Sequence, residues 1–139
     1  MEKTQIQKLI RIAAEQMSYS YVPYSHFHVG AALLGKNGKI YGGCNIENAA
    51  YTPTNCAERT AFFKAVSEGV RDFTAICVVG GKDGVLRSYA PPCGVCRQVM
   101  REFCDPEKFV IILATGPEDY ETFLLKDLLP MGFGPENLD

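Results

Sequence analysis

The sequence has no excess of positive charge and no long apolar run. Its 14 Lys and Arg residues are balanced by 16 Asp and Glu residues, which gives a formal net charge of -2. Proteins that bind long nucleic acids usually carry a basic surface that neutralises phosphates, so we expect no such ligand. No apolar run approaches the ~18 residues of a membrane-spanning helix, so we expect no membrane partner either. A small, nearly neutral substrate fits this composition better.

The N-terminal residues lack the uninterrupted apolar segment of a signal peptide, because charged side chains from Glu2 to Glu15 interrupt it. Six cysteines without such a segment indicate a reducing compartment. We therefore expect a cytoplasmic protein. In that setting thiols are usually buried, catalytic or bound to metal, so the spacing of the cysteines is informative.

The 139 residues are enough for one domain, and we expect residues 1–139 to form a single catalytic domain. Apolar residues at helical spacing from Ile6 to Met17 predict an amphipathic first helix. Asn37-Gly38 is a strong turn signal and predicts an antiparallel hairpin around it. The further elements are strands at 27–34, 40–46, 73–81, 109–115 and 120–125, helices at about 56–69 and 93–104, and a short helical turn at 126–130. This order favours a layered α/β domain with a mixed sheet covered on its faces, in which the third and fourth strands are parallel.

Three cysteines stand where two of these helices begin. Cys56 precedes one helix, and Cys93 and Cys96 lie three residues apart in the first turn of the other. The positive end of a helix lowers the pKa of a nearby thiol, and only the thiolate binds metal. Three protein ligands are typical of catalytic zinc sites, whereas structural sites usually have four. His26 and His28, the only two histidines, are either a fourth ligand or solvated or core-edge residues.

Glu58 follows Cys56 by two residues and has two interpretations. It can exchange protons with a water at the metal, or it can occupy the third helical position of a capping box whose N-cap is Asn55. The paired cysteines favour the catalytic interpretation.

Three thiolates on Zn²⁺ leave one net negative charge, which opposes the acidification of a bound water. A positive group must offset that charge. Arg59 is the first candidate and Arg97 is the second, although either could be a solvated surface charge.

Two other classes of protein use similar residues. A structural zinc module needs a fourth ligand and typically a shorter spacing than that between Cys56 and Cys93. A thioredoxin-like oxidoreductase would use Cys93 and Cys96 as a redox pair but would leave Cys56 and Glu58 unexplained.

The segments CAE (56–58) and PCGVC (92–96) resemble the zinc deaminase signature in its all-cysteine form. FHVGAALL, GCNIENA and LLPMGFG extend the likeness to the small homotetrameric cytidine deaminases over nearly the whole chain. The resemblance implies a three-layer α/β/α domain with a roughly five-stranded mixed sheet and one zinc ion per subunit. It also implies a homotetramer with pockets near the subunit interfaces. The implied reaction is the hydrolytic deamination of cytidine and deoxycytidine in pyrimidine salvage.

The resemblance also implies roles for individual residues. Glu58 carries protons to ring N3 and to the leaving amine, and the backbone of Ala57 meets the base edge. The other implied substrate contacts are Phe27 on the pyrimidine ring, Asn45 and Glu47 on the ribose hydroxyl, and Tyr51 and a neighbouring subunit's Phe133 at the pocket entrance. Each has a plain alternative: Phe27 could be a core aromatic, and Asn45 and Glu47 could be turn and surface residues.

A blasticidin-type deaminase would share the zinc motif, Glu58 and much of the fold, and is the alternative within this class. The tail LLPMGFGPENLD favours cytidine deaminase. Polynucleotide deaminases more often have a histidine in place of Cys56. Cys44, Cys77 and Cys104 match no role and are expected to be buried apolar residues.

Overall fold

The computed structural model describes residues 1–139 and contains one five-stranded sheet. The helices are α1 (Lys3–Gln16), α2 (Ala57–Ser67), α3 (Gly94–Phe103) and α4 (Leu125–Leu128). The strands are β1 (Phe27–Gly35), β2 (Ile40–Cys44), β3 (Phe73–Lys82), β4 (Val110–Gly116) and β5 (Asp119–Leu124). The predicted elements are all present. Strand β2 is shorter than predicted, because Ile46 makes only isolated bridges to Tyr21 and Asn55.

The strand order is β2-β1-β3-β4-β5, and the sheet is mixed. Strands β3 and β4 are parallel, as the intervening helix α3 predicts, and all other neighbours are antiparallel. The predicted hairpin joins β1 and β2, and Gly38 adopts a left-handed conformation with φ 85° in its turn. Glycine suits that position because it carries no Cβ.

Helix α1 covers one face of the sheet. Its buried residues Ile6, Leu9, Ile10 and Ala13 pack on alternate residues of the strands. The contact is close at Gly30, where a Cβ atom would lie 1.9 Å from the carbonyl oxygen of Ala13. Any larger residue at this position would push α1 away from the sheet.

Helices α2, α3 and α4 cover the opposite face, which contains the larger apolar cluster. Phe62 is fully buried there, with its ring centroid 4.9 Å from that of Phe73. Burial of a phenylalanine of this kind contributes about 2 to 3 kcal/mol. At Gly43 a Cβ atom would lie 2.3 Å from the carbonyl oxygen of Ala57, so the first turn of α2 rests directly on β2.

The two covered faces give the three-layer α/β/α arrangement and confirm the predicted fold class. Cys44, Cys77 and Cys104 are buried, as expected. No helix of the chain has both the length and the apolar composition that crossing a membrane requires.

Candidate active site and metal centre

The metal-binding candidates lie at the N-termini of α2 and α3. Cys56 is the N-cap of α2 and Cys93 is the N-cap of α3, and both have extended backbone conformations. The Sγ atom of Cys93 accepts a hydrogen bond from the backbone N–H of Cys96, at 3.4 Å. Both helix starts therefore direct sulfur atoms and positive helix ends towards one point.

The three sulfur atoms form a compact group. The Sγ atom of Cys93 lies 3.7 Å from that of Cys56 and 3.5 Å from that of Cys96, and all three lie within 4.8 Å of one another. Tetrahedral zinc with Zn–S bonds of about 2.3 Å holds its sulfur ligands about 3.8 Å apart. The spacing of the cysteines therefore fits zinc, and the residues predicted as ligands are brought together.

No histidine belongs to this group of possible ligands. The Nδ1 atom of His28 lies 3.3 Å from the carbonyl oxygen of Met17, next to α1. His26 lies in the turn before β1 with φ 58°. Neither residue completes a fourth position, so the site has the three-ligand pattern of catalytic zinc centres.

The pKa values of two of the clustered thiols are shifted in opposite directions. The pKa of Cys56 is lowered to about 5, first by its interaction with the nearby thiol of Cys96 and then by a hydrogen bond from Arg59. The Nη2 atom of Arg59 lies 3.2 Å from the Sγ atom of Cys56. The pKa of Cys96 is raised, first by its interaction with the nearby sulfur atom of Cys56 and then by burial. Of these two cysteines, Cys56 therefore ionises more readily than Cys96 before metal binds.

Of the two arginines predicted as candidates to offset the thiolate charge, Arg59 contacts the sulfur group. Arg97 instead donates a hydrogen bond from Nη1 to the carbonyl oxygen of Leu128. The Nε atoms of both arginines are buried without a hydrogen-bond partner. The two guanidinium groups differ in their hydrogen-bond partners, a sulfur atom for Arg59 and a backbone carbonyl for Arg97, although each residue closely follows a cysteine in the sequence.

Glu58 is the only charged or polar residue among the 39 buried residues, with a relative exposure of 3%. Burial raises its pKa to about 7, and the nearby negative charge of Cys56 acts in the same direction. A carboxyl group with a pKa near neutrality can both accept and donate a proton under physiological conditions. A buried carboxyl group of this kind beside a sulfur cluster is a candidate for acid–base catalysis.

The capping-box alternative for Glu58 is wrong. Its premise was Asn55 as the N-cap, but the N-cap of α2 is Cys56, which places Glu58 at the second helical position. The Nδ2 atom of Asn55 instead donates to the Oγ1 atom of Thr60, at 3.1 Å. The buried carboxyl group of Glu58 is thus not explained by helix capping.

A cavity of about 130 Å³ opens beside Glu58 and the sulfur atoms. Of the predicted substrate residues, Phe27, Asn45 and Ala57 line it. The complete lining is Phe27, Val29, Asn45, Cys56, Ala57, Glu58, Val78, Ala90, Pro91 and Cys93. Sequence reasoning missed four of these residues: Val29, Val78, Ala90 and Pro91. Ala90 and Pro91 lead directly into Cys93 and could have been found from that proximity, whereas the two valines resemble ordinary strand residues.

Phe27 and Asn45 lie at the ends of two neighbouring strands: Phe27 is the first residue of β1, and Asn45 directly follows β2. Phe27 has a relative exposure of 40% and is not a core aromatic. Asn45 accepts a hydrogen bond from Val29 N at 3.0 Å and donates one to the carbonyl oxygen of Phe27 at 2.8 Å. The side chain of Asn45 thus continues the pairing with β1 beyond the end of β2, and leaves one amide hydrogen and one oxygen lone pair for a ligand.

Glu47 and Tyr51 lie in a second cleft, of about 480 Å³, which is lined by Tyr24, Ser25, Glu47, Asn48, Tyr51 and Thr54. Tyr51 is 77% exposed and has a left-handed backbone with φ 63°. Phe133 lines neither space. It is 56% exposed, and its carbonyl oxygen accepts a hydrogen bond from Gln98.

Residues 3–113 match the family model of the cytidine and deoxycytidylate deaminase zinc-binding region. The chain belongs to this deaminase family. It is 51% identical over 133 residues to a cytidine deaminase of Sporosarcina psychrophila, covering 96% of this chain and 94% of the relative. A crystal structure of cytidine deaminase from Burkholderia pseudomallei superposes with a TM-score of 0.82 at 44% identity, covering 91% of this chain and 97% of the other. A blasticidin-S deaminase of Bacillus cereus is 35% identical over 130 residues, covering 91% of this chain and 90% of the relative.

Membership of the deaminase family and the sulfur geometry lead to the same cofactor. The zinc-binding region of the family model includes Cys56, Cys93 and Cys96, and these residues form the one group of possible metal ligands in the chain. The predicted family, enzyme class and zinc cofactor are confirmed.

Proposed function

We propose that this deaminase-family protein catalyses the hydrolytic deamination of cytidine and deoxycytidine to uridine and deoxyuridine, with release of ammonia, as a step of pyrimidine salvage. The observation that carries the proposal is the buried carboxyl group of Glu58, which lines one cavity together with two of the three clustered cysteines, Phe27 and Asn45. The relatives named cytidine deaminase support it.

Different residues of the chain have different roles in the reaction. Cys56, Cys93 and Cys96 would hold the zinc ion, which would act as a Lewis acid and make water nucleophilic near neutral pH. Glu58 takes one proton from the attacking water and delivers it to ring N3. It then takes the remaining proton of the new C4 hydroxyl and passes it to the amine, which leaves as ammonia when the C4–N bond breaks and the C4 carbonyl forms. Arg59 offsets the negative charge of the thiolates through its contact with Cys56. Proton transfer by a positioned carboxyl group of this kind is worth about a hundredfold or more in rate.

The remaining residues of the cavity bind and orient the nucleoside. Phe27 stacks on the pyrimidine ring, and the backbone of Ala57 meets the base edge. Asn45 retains one free amide hydrogen for a ribose hydroxyl. Glu47, in the adjoining cleft, shares that hydroxyl.

The whole chain acts as one catalytic domain that assembles into a homotetramer with one zinc ion in each subunit. Tyr51, together with Phe133 from the tail of a neighbouring subunit, closes the pocket across an interface. Their high exposure in the single chain, 77% and 56%, supports an interfacial position. The six free cysteines suit a reducing, cytoplasmic setting. Sedimentation analysis tests the assembly, and a monomer at assay concentration would contradict it.

Deamination of blasticidin S is the second candidate function. The observation in its favour is the 35% identity to the blasticidin-S deaminase of Bacillus cereus over nearly the whole chain. The higher identity to cytidine deaminase of Sporosarcina psychrophila, 51%, favours the plain nucleoside.

Ultraviolet spectroscopy with cytidine, deoxycytidine, blasticidin S and a cytosine-containing oligonucleotide tests the proposal, each with and without a chelator. We expect turnover of the two nucleosides and its loss with the chelator. Turnover of blasticidin S alone would favour the second candidate. No turnover of any nucleoside by zinc-loaded protein would contradict both.

A further inference from the structure

The turn before β1 contains a hydroxyl group that joins two of the proposed substrate residues. The Oγ atom of Ser25 accepts a hydrogen bond from the backbone N–H of Phe27, at 3.0 Å. The same hydroxyl donates its proton to the Oε2 atom of Glu47. Ser25 is therefore a bridge between the first residue of β1 and the carboxylate in the adjoining cleft.

A backbone N–H group determines which way the hydroxyl proton of Ser25 points. Because Ser25 Oγ accepts the N–H of Phe27, its hydroxyl proton is free to point at Glu47. The other carboxylate oxygen, Oε1, accepts the backbone N–H groups of Tyr24 and Ser25, each at 3.1 Å. Glu47 thus receives three hydrogen bonds from one turn, which fix the orientation of its carboxylate plane.

The shape of this turn is also fixed at its next residue, His26. His26 adopts a left-handed conformation with φ 58°, which non-glycine residues adopt only when the surroundings hold them there. Its backbone is tied on both sides, by the N–H group to the carbonyl oxygen of Val22 at 3.0 Å and by the carbonyl oxygen to the N–H of Asp83 at 2.7 Å. The carboxylate of Glu47 therefore binds a turn whose shape is already defined.

The hydrogen bonds leave Glu47 with little spare capacity. A carboxylate offers about four lone-pair positions, and three are used within the turn. The remaining position can accept a single hydroxyl from a defined direction. Hydrogen bonds to a carboxylate also favour its ionised form, and the pKa of Glu47 is lowered first by the Ser25 hydroxyl.

We propose that Ser25 is a positioning residue that orients the carboxylate of Glu47 towards a ribose hydroxyl of the nucleoside. This inference rests on the proposed function, because it takes Glu47 as a contact of the sugar. Ser25 itself does not touch the reacting atoms. Its loss affects binding of the sugar and leaves the proton transfers of Glu58 unchanged.

The test compares the variants S25A, S25T and S67A with the wild type, all loaded with zinc. The control residue Ser67 also uses its hydroxyl in a local hydrogen bond, to the carbonyl oxygen of Lys64, but at the far end of α2. For S25A we expect the KM for cytidine to rise about tenfold, the usual order for a lost hydrogen bond to a charged group, while kcat changes less than twofold. S25T keeps the hydroxyl and restores KM to within about threefold, and S67A behaves as the wild type.

Two inhibitors identify the group that Ser25 orients. The inhibition constant of uridine is expected to rise in S25A about as much as the KM. That of 2′,3′-dideoxyuridine, which lacks the 2′- and 3′-hydroxyl groups but keeps the 5′-hydroxyl, stays within about twofold. In an E47Q background, S25A adds less than about twofold, because the carboxylate that it orients is gone.

An equal loss of uridine and dideoxyuridine binding, a kcat effect larger than the KM effect, or additive effects of S25A and E47Q would overturn the inference. An active wild type with an unaffected S25A variant would overturn this inference alone. A wild type that neither deaminates cytidine nor binds uridine would overturn the proposed function and this inference with it.

Discussion

The Nη2 atom of Arg59 lies 3.2 Å from the Sγ atom of Cys56, one helical turn away at the start of α2. The contact places a permanent positive charge against one of three clustered sulfur atoms. Arg97, which directly follows Cys96, hydrogen-bonds the carbonyl oxygen of Leu128 instead. Two arginines with similar positions in the sequence therefore have different electrostatic effects. Substituting each arginine in turn distinguishes these effects.

We expect Arg59→Gln to raise the pKa of Cys56 in the metal-free protein from about 5 towards its ordinary value, by about one unit or more. The guanidinium favours the thiolate, so its removal favours the thiol. The ultraviolet absorbance of the thiolate, titrated against pH, measures the change. Arg97→Gln is the charge-matched control, and an equal shift in that variant would contradict the assignment of Arg59.

We expect Glu58→Gln to fold, to keep its zinc and to lose turnover by about a hundredfold or more, because the amide cannot transfer protons. Steady-state kinetics and metal analysis on the same preparation check both parts. Glu68→Gln is the control, since Glu68 is exposed at the end of the same helix. Wild-type activity of the Glu58 variant would rule out the catalytic assignment.

We expect Cys93→Ala to lose zinc and to melt at a lower temperature, because two sulfur ligands cannot replace three and the metal stabilises the folded state. Metal analysis and a melting curve with and without added zinc measure the two effects. Cys77→Ala removes a buried thiol that packs with the α1 face of the sheet and is expected to retain zinc. Unchanged zinc content in Cys93→Ala would disprove its role as a ligand.

The buried thiol of Cys77 is expected to make the folding stability of the protein depend on pH. Burial raises its pKa to about 12, whereas an unfolded cysteine titrates near about 8.5. Above that pH the unfolded chain loses a proton that the folded chain keeps, so this group makes stability fall as pH rises from about 8.5 to 12. The slope is about 1.4 kcal/mol per pH unit.

Urea unfolding of the wild type and of Cys77→Ala between about pH 8 and pH 10 checks this slope. The variant lacks the thiol, so its stability is expected to fall less steeply than that of the wild type. The comparison cancels the titration of all other groups that the two proteins share. Parallel curves would show that Cys77 ionises equally in both states.

Much of the fold could be predicted because its signals are local. The apolar spacing from Ile6 to Met17 predicts α1, and the Asn37-Gly38 pair predicts the β1–β2 hairpin. The parallel pairing of β3 and β4 follows from the intervening helix. The end of β2 could not be predicted, because after Cys44 the side chain of Asn45 supplies the acceptor for the backbone N–H of Val29, and sequence patterns do not show this.

The candidate site was predictable where chemistry restricts the choice of residues. Cysteines at two helix starts identify a metal group, and Glu58 stands out only once they are recognised. The start of α2 close to Cys56 is as predicted, and only the rejected capping-box alternative takes Asn55, a common type of N-cap residue, as its N-cap. The hydroxyl bridge at Ser25 could not be predicted, because it joins two residues that are 22 positions apart in the sequence.

The central claim is that three sulfur atoms hold one zinc ion whose fourth position stays open beside Glu58. X-ray absorption at the zinc edge of the purified, zinc-loaded protein tests it most directly. We expect one zinc per chain with three sulfur neighbours at about 2.3 Å and a single lighter neighbour at about 2.0 Å, which a nucleoside analogue perturbs. Four sulfur neighbours, or a histidine pattern unaffected by the analogue, would contradict the account.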